Sequence, residues 1–192
     1  MTSMKVGISQ FRTIITVFIV VILVSVNFLV VYYIARENKA DIEFPSDPDI
    51  TYRTHNIADS HMFVSNFVGD QENTQNILKT LPLNSDITAI DILDSGINIT
   101  VHNVHLDDES TQRDILYSAA VIMTMIKDAT YVSYQNGTKI IEVTRTDVES
   151  FVPEQTLSSY DQQAWNRVRR SIPEAVSSII EVRNTTTKFK EG

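Results

Sequence analysis

The sequence predicts an α+β domain with a mostly antiparallel four-stranded sheet and covering helices, preceded by one N-terminal transmembrane helix. Three observations lead to this prediction. Residues 13–35 contain no charged side chain, residues 110–128 carry a wide apolar stripe at helical spacing, and Asn136-Gly137 joins two β-rich runs. The predicted parts are a cytoplasmic tail (1–12), the transmembrane helix (13–35), a linker (36–56) and an extracytoplasmic domain (57–192).

The uncharged run lies between Arg12 and Arg36. As a helix it would extend roughly 35 Å at 1.5 Å per residue, compared with a hydrocarbon core of about 30 Å. A cleaved secretory signal is the alternative, but its apolar region usually has about 7–15 residues and ends at a small-x-small site. Tyr33 stands where such a site needs a small residue, so we favour an uncleaved signal anchor.

Charge distribution favours a single-pass membrane protein with its amino terminus in the cytoplasm and its domain outside. The net charge is −8, and all 24 acidic residues follow the uncharged run, while Lys5 and Arg12 precede it. The absence of cysteine is compatible with export but does not decide the compartment. Because the domain is acidic and placed outside, we expect no nucleic-acid partner.

The first predicted elements follow the linker. Residues 36–56 contain two prolines and many charges without an apolar period, which is typical of an extended segment. A helix is then predicted from about Asp70 to Leu81, with Asp70 as its cap and Pro82 at its end. Its apolar residues would face the core, namely Ile77, Leu78 and Leu81.

Two strands and the longest helix come next. Residues 87–93 and 97–102 have strand patterns, with Asp94-Ser95-Gly96 as the turn between them. The helix predicted over residues 110–128 carries its stripe on Ile115, Ala119, Ile122 and Ile126. An apolar face this wide is expected to pack against a sheet.

The last predicted elements are a hairpin and two helices. Residues 130–135 and 138–144 are β-rich, and Asn136-Gly137 favours a type I′ turn between them. Thr146 to Glu149 matches a capping box that opens a short helix ended by Pro153, and Ser159 to Gln162 matches a second box. The final helix is predicted to keep its spacing from Trp165 to Ile179, with Pro173 kinking it or splitting it in two.

Several segments are similar to a known bacterial family. Asn66-Phe67-Val68-Gly69-Asp70 and Asn76-Ile77-Leu78-Lys79-Thr80-Leu81-Pro82 resemble the opening and the Ile-Leu-x-x-Leu-Pro motif of the family catalogued as domain of unknown function 4825. Residues 128–134 and Thr144-Arg145-Thr146 are similar to two of its later junctions, so the resemblance covers about residues 60–155. Leu93-Asp94-Ser95-Gly96 replaces the family's aromatic-Pro-Tyr-Gly segment. The resemblance implies an anchored extracytoplasmic domain of a Gram-positive-type bacterium, with no assigned activity and no catalytic residue to transfer.

One cluster of polar residues has the composition of a metal site. His102 and His105 precede Asp107, Asp108 and Glu109, and such groups bind divalent cations. However, an odd offset along a strand would send the two imidazoles to opposite faces. The acids also stand where a helix starting near residue 110 favours negative charge. We therefore interpret the cluster as a helix start, and we predict no metal, cofactor or catalytic residue.

Charge and motifs leave a binding protein as the leading hypothesis. The chain lacks a nucleophile elbow and a phosphate-binding glycine loop. The basic residues Arg167, Arg169 and Arg170 form a candidate interaction patch, which meets either a partner or the acidic body of the domain itself. We expect a domain that binds or senses another protein or an envelope component. The alternatives are an envelope hydrolase using a carboxylate pair and a structural accessory subunit of a membrane complex.

Overall fold

A computed structural model describes residues 21–22, 24–26, 50–153, 156 and 159–185. The chain divides into two compact units, Met1–Glu43 and Phe44–Gly192. The helices and strands named below all belong to the second unit. Its helices are α1 (Ile57–His61), α2 (Gln71–Thr80), α3 (Glu109–Met125), α4 (Arg145–Phe151) and α5 (Gln162–Ser171), with short 3-10 turns at Asn84–Asp86 and Val176–Ser178. Its strands are β1 (Ile87–Ile92), β2 (Gly96–Val101), β3 (Tyr131–Asn136), β4 (Lys139–Thr144) and β5 (Val182–Asn184).

The predicted transmembrane helix lies almost entirely outside the described residues. Five of its positions are described, and all of them are helical and exposed. The Ser25 hydroxyl donates to the Val21 carbonyl oxygen at 2.8 Å, so this polar side chain bonds back to its own helix. Within the described ranges, no helix has the length and apolar character needed to cross a bilayer.

The sheet has five strands, and the prediction of four was wrong. The strands lie side by side in chain order from β1 to β5, and β5 pairs with β4 in antiparallel orientation. The missed strand has three residues, of which only Val182 is partly buried, so it lacks the alternation that predicts a strand. β5 comes after Pro173, which divides the helix predicted over residues 165–179. α5 ends at Ser171, before the proline, and a separate 3-10 turn covers Val176–Ser178.

The other pairings confirm a mostly antiparallel sheet and show one parallel seam. β1–β2 and β3–β4 are antiparallel neighbours, whereas β2 and β3 run parallel, with α3 as the crossover between them. Residues 114–126 of the crossover are all buried. α3 is therefore the central helix of the domain, covered on several sides, and not a helix with one exposed face. At the seam, Gly96 leaves room for the Tyr131 ring, because an added Cβ would lie 2.3 Å from its Cε1 atom.

The hairpin is confirmed, but its turn is shifted by one residue. Asn136 pairs with Lys139, so the two loop residues are Gly137 and Thr138. Gly137 has a φ of +58°, while neither Asn136 nor Thr138 has a positive φ. A type I′ turn needs positive φ at both loop residues, so the pattern is that of a type II′ turn with glycine first.

Two helix starts are also shifted from their predicted capping boxes. Thr144 is the N-cap of α4, and its hydroxyl and the Asp147 carboxylate form a reciprocal capping box. The predicted box at Thr146 began two residues too late, inside the helix. Asp161, not Ser159, caps α5, and its carboxylate accepts from the Ala164 amide. In both places the side chain that forms the cap belongs to the residue immediately before the helix.

The remaining predictions of local structure agree with the fold. Asp70 caps α2 by accepting from the Asn73 amide, and Ile77, Leu78 and Leu81 are buried. α4 ends at Phe151, before Pro153. The core lies between the sheet and α3, where aliphatic side chains from β2, β3 and β4 pack against the helix, namely Ile97, Ile99, Val101, Val132, Ile141 and Val143.

Candidate functional site

The segment that leads into α1 packs onto the domain although it has no helix or strand of its own. We call residues 51–56 the strap. It forms a turn in which the Thr54 and His55 amides donate to the Thr51 carbonyl oxygen at 3.1 and 2.9 Å. The sequence assigned these residues to the linker. In the structure His55 is only 2% exposed, so the end of the predicted linker belongs to the packed part of the chain.

Side chains from α3 and α5 hold the strap backbone. The Tyr52 amide donates to Asp114 Oδ1 at 2.6 Å. Arg169 donates from Nε to the Tyr52 carbonyl oxygen at 2.6 Å and from Nη2 to the His55 carbonyl oxygen. Hydrogen bonds with one charged partner are stronger than neutral ones. Three backbone groups of a short loop are thus satisfied by two charged residues that are distant in the sequence.

The His55 ring lies in a directed chain of hydrogen bonds. Arg169 Nη2 donates to the Tyr117 hydroxyl oxygen at 3.1 Å, and that hydroxyl lies 2.9 Å from His55 Nδ1. On the other side of the ring, Nε2 is 3.1 Å from Ser60 Oγ, which is 2.6 Å from Thr80 Oγ1. Thr80 donates to the carbonyl oxygen of its own helix. One assignment satisfies every atom: Tyr117 donates to Nδ1, and Nε2–H donates to Ser60.

This arrangement keeps His55 neutral. Burial, together with the positive charge of Arg169, lowers the pKa of His55 to about 4. The Tyr117 ring packs edge-on against both the His55 ring and the Trp165 indole, with centroids 5.5 and 5.6 Å apart. A neutral, enclosed imidazole beside a buried serine cannot reach an external substrate. The Ser60–His55 pair is therefore a structural contact.

Burial also shifts the pKa of the acid below the strap. It raises the pKa of Asp114 to about 6, although the hydrogen bond from the Tyr52 amide acts in the opposite direction. Burial raises the pKa of Tyr117 to about 12, against the charge of Arg169. The pKa of Tyr134 on β3 is also raised, first by burial and then by the Asp114 charge, with the Ser118 hydroxyl opposing the rise.

An open cleft of about 520 Å³ lies beside the strap. Its walls come from three parts of the domain: the strap, the start of α3 and the segment that follows α5. Arg113 crosses between two of these walls, because its Nη2 donates to Glu109 Oε2 at 2.8 Å and to the Glu174 carbonyl oxygen at 2.7 Å. The lining residues are Tyr52, Arg53, Glu109, Arg113, Ile172, Pro173, Glu174 and Ala175.

The cleft presents one cation and one anion that are available to a ligand. The Arg53 guanidinium carbon lies 5.4 Å from the centroid of the Tyr52 ring, and its Nε donates to the Tyr52 hydroxyl at 2.8 Å. Neither Arg53 nor the Glu174 carboxylate forms an ion pair with another described residue. Both side chains are exposed. They would therefore lose little hydration energy when they bind groups of opposite charge.

The structure separates the three arginines of the predicted interaction patch. Arg167 and Arg170 are exposed on α5, whereas Arg169 turns toward the strap and the Tyr117 ring. Arg169 thus takes the intramolecular role that the sequence left open as one of two alternatives. Arg167 and Arg170 form no ion pair with any residue that the structure describes.

The three acidic residues of the predicted cluster also have separate roles in the structure. Asp107 pairs with Lys139 of β4, and Glu109 pairs with Arg113. Asp108 occupies the N-cap of α3, but its side chain makes no capping hydrogen bond, so it acts there only through its charge. His102 and His105 are exposed. In the part of the chain that the structure covers, no three His, Asp or Glu residues are grouped to hold a metal ion.

Sequence reasoning missed the residues that hold the strap. His55 lacks ligand spacing, and Tyr52 lies in a stretch without apolar period. The available signal was on α3, where Asp114 and Ser118 are four residues apart at the start of the mostly apolar run 114–126. Polar side chains at buried helical positions usually have partners elsewhere in the fold, but the sequence does not identify those partners.

No family model matches this chain, and no curated protein or solved structure matches it. The resemblance to the family of unknown function therefore stays a prediction.

Proposed function

We propose that this chain is a single-pass, membrane-anchored protein whose extracytoplasmic domain binds a segment of another protein, or a related envelope component, at the cleft. One observation carries the proposal: the open cleft places Tyr52 and Arg53 side by side at its wall. Tyrosine and arginine are enriched among the residues that contribute most to protein interfaces, because both combine a large contact area with directed hydrogen bonds.

The charges of the cleft favour a polypeptide over a purely anionic ligand. Arg53 can form an ion pair with an acidic side chain, and Glu174 can form one with a basic side chain. Arg113 is already paired with Glu109. An extended peptide carries amides and both charge signs along its length. We therefore expect a partner segment with an acidic and a basic residue a few positions apart.

Membrane anchoring is the second part of the proposal, and it rests on the uncharged run at residues 13–35. The measurement is protease treatment of intact cells or protoplasts, with a tag at the carboxyl terminus. Loss of the domain would support an external location with a cytoplasmic amino terminus. Full protection of the tag, followed by its loss on lysis, would reverse the orientation.

Photocrosslinking tests the cleft. A photoreactive residue replaces Ala175, which is exposed at the cleft, in the full chain expressed in host membranes. The matched control carries the same residue at Ala89, which is exposed on β1. We expect a discrete adduct from position 175 that is absent from position 89. Equal labelling at both positions, or none at either, would contradict binding at the cleft.

Charge reversal distinguishes the cleft from the predicted arginine patch. Arg53→Glu should lower the yield of the Ala175 adduct about tenfold or more, because it places like charges opposite the acidic group of the partner. Arg167→Glu makes the same change on exposed α5 and should leave the yield unchanged. The reverse result would assign binding to the patch on α5.

The hydrolase alternative has one supporting observation. Asp114 is a buried carboxyl whose pKa is raised to about 6, which suits a general acid. It accepts from the Tyr52 amide, however, and the acids of the cleft, Glu109 and Glu174, are exposed. Hydrolysis of envelope polymers that is lost in Asp114→Asn and retained in Arg53→Glu would favour this alternative. A structural accessory role in a membrane complex would instead give an adduct from a photoreactive residue placed within residues 13–35, and none from position 175.

A further inference from the structure

The strap forms one wall of the cleft, and side chains from other parts of the domain hold it in place. Tyr52 and Arg53 line the cleft from this side. None of the described strands pairs with residues 51–56. Their position depends on the Asp114 and Arg169 hydrogen bonds and on the buried His55 ring with its hydrogen bonds to Tyr117 and Ser60, among other contacts. Such a segment has a low cost of local opening compared with the sheet, whose backbone groups bond to neighbouring strands.

We propose that the strap is a releasable wall, so that docking of residues 51–56 and occupation of the cleft by its partner are coupled. This inference rests on the proposed function of the cleft and describes how that site is regulated. A partner that contacts Tyr52 and Arg53 binds the docked form better than the released form. By linkage, docking raises affinity and binding stabilises docking by the same factor.

In chain order the strap precedes all the described helices and strands of the domain, so a force on the preceding residues reaches it before it reaches them. The strap is the end of the linker (36–56) that the sequence predicts to join the domain to the membrane span. Its release breaks no strand pairing, and it leaves α3 in contact with the sheet through the aliphatic core. Tension or crowding at the linker would thus act on the cleft without unfolding the domain.

Hydrogen exchange, measured on the full chain in detergent, tests whether the strap can be released. Arg169→Gln removes the guanidinium that holds the Tyr52 and His55 carbonyl oxygens. Arg170→Gln is the matched control, since it makes the same change on an exposed residue of the same helix. We expect the Tyr52 and His55 amides to exchange about tenfold faster in Arg169→Gln, with β3 unchanged. Unchanged strap exchange, or equal acceleration in β3, would overturn the proposal.

A second pair of variants covers the possibility that Arg169→Gln fails to fold. Asp114→Ala removes the acceptor of the Tyr52 amide, while Asp114→Asn keeps a carbonyl oxygen at that position. Faster strap exchange in Asp114→Ala and its restoration in Asp114→Asn are expected. Equal exchange in these two variants would mean that this hydrogen bond does not hold the strap, contrary to the proposal.

The coupling is measured with the Ala175 photocrosslink, which reports the opposite wall of the cleft. Variants that release the strap should lower the adduct yield at least about fivefold. An unchanged yield with a released strap would overturn the coupling and leave the proposed function intact. Absence of any adduct in the unmodified chain would overturn the proposed function and the coupling with it, whatever the exchange data show about release.

Discussion

In the sheet and most of α3, buried positions are mostly aliphatic. The corner where the strap, α1 and α5 meet Tyr117 of α3 instead encloses a histidine, a tyrosine ring and an indole, with a partly buried arginine beside them. Aliphatic packing is non-directional and tolerates small shifts. A hydrogen-bonded cluster requires every partner in place, because an unpaired buried group costs about 1–3 kcal/mol. The corner is thus the region where single substitutions should have specific effects.

The largest expected effect comes from the indole at the centre of the corner. Trp165 is fully buried, packs edge-on against Tyr117, and donates from Nε1 to the Ser159 carbonyl oxygen at 2.8 Å. Trp165→Ala should lower the free energy of unfolding by about 3–5 kcal/mol, through lost packing and an unfilled cavity. Urea unfolding followed by circular dichroism measures it, with exposed Gln163→Ala as the control near zero. A loss below about 1 kcal/mol would show that the corner repacks freely.

One chemical change made in both regions sharpens the comparison. The Tyr117 hydroxyl bonds to His55 and Arg169. The buried Tyr134 hydroxyl on β3 lies near the Ser118 hydroxyl, but it has no well-formed hydrogen bond to any residue that the structure describes. Tyr117→Phe should therefore cost about 1–3 kcal/mol, and Tyr134→Phe should leave stability unchanged or raise it. Urea unfolding monitored by the single tryptophan measures both variants. Equal losses would show that the two hydroxyls contribute alike.

The dependence of stability on pH should separate His55 from Asp114. The pKa of His55 is 6.5 in an unfolded chain and about 4 in the fold, so its contribution to stability falls as pH drops through that range. The pKa of Asp114 rises from 3.8 to about 6, so its contribution grows over nearly the same range. The two contributions oppose each other between about pH 6 and pH 4.

Removing either group should reveal the other. Between pH 6 and pH 4.5, Asp114→Asn should lose on the order of 1–2 kcal/mol of stability, and His55→Gln should gain a similar amount. The wild-type protein should change less than either variant. Urea unfolding at fixed ionic strength, repeated at several pH values, provides the measurement. Slopes of the same sign in both variants would refute the assignment of opposing groups.

The smallest expected effect belongs to the hairpin on the sheet side. Gly137→Val places a β-branched residue at a φ of +58°, which should cost about 1 kcal/mol or more. Thr138→Val is the control, because Thr138 does not have a positive φ. Thermal melting of the two variants gives the comparison. A lower midpoint in the control than in Gly137→Val would place the strained residue elsewhere.

The contrast between the regions also explains what sequence could predict. Hairpin, α2 and α3 were predictable because their signals, alternation, capping and helical spacing, lie within a few residues of each other. The turn and capping positions moved by one or two residues, because several polar side chains competed for each role. β5 was too short to show a period.

The candidate site was not predictable in the same way. Asp114 and Tyr52 are 62 residues apart, and Arg169 is 117 residues from Tyr52. Arg169 was identified as one member of a surface patch, since its charge is visible in the sequence while its orientation is not. Local patterns give the elements, but the contacts that hold the strap form only after α3 and α5 have packed together.

The parallel pairing of β2 with β3 has a consequence for the order of assembly. Each antiparallel hairpin closes a short loop, whereas the seam joins Gly96 to Tyr131 across the whole of α3. Hairpins form in roughly 1–10 μs, and contacts that are distant in the chain come later because loop closure costs entropy. We expect the two hairpins to exist before the seam closes.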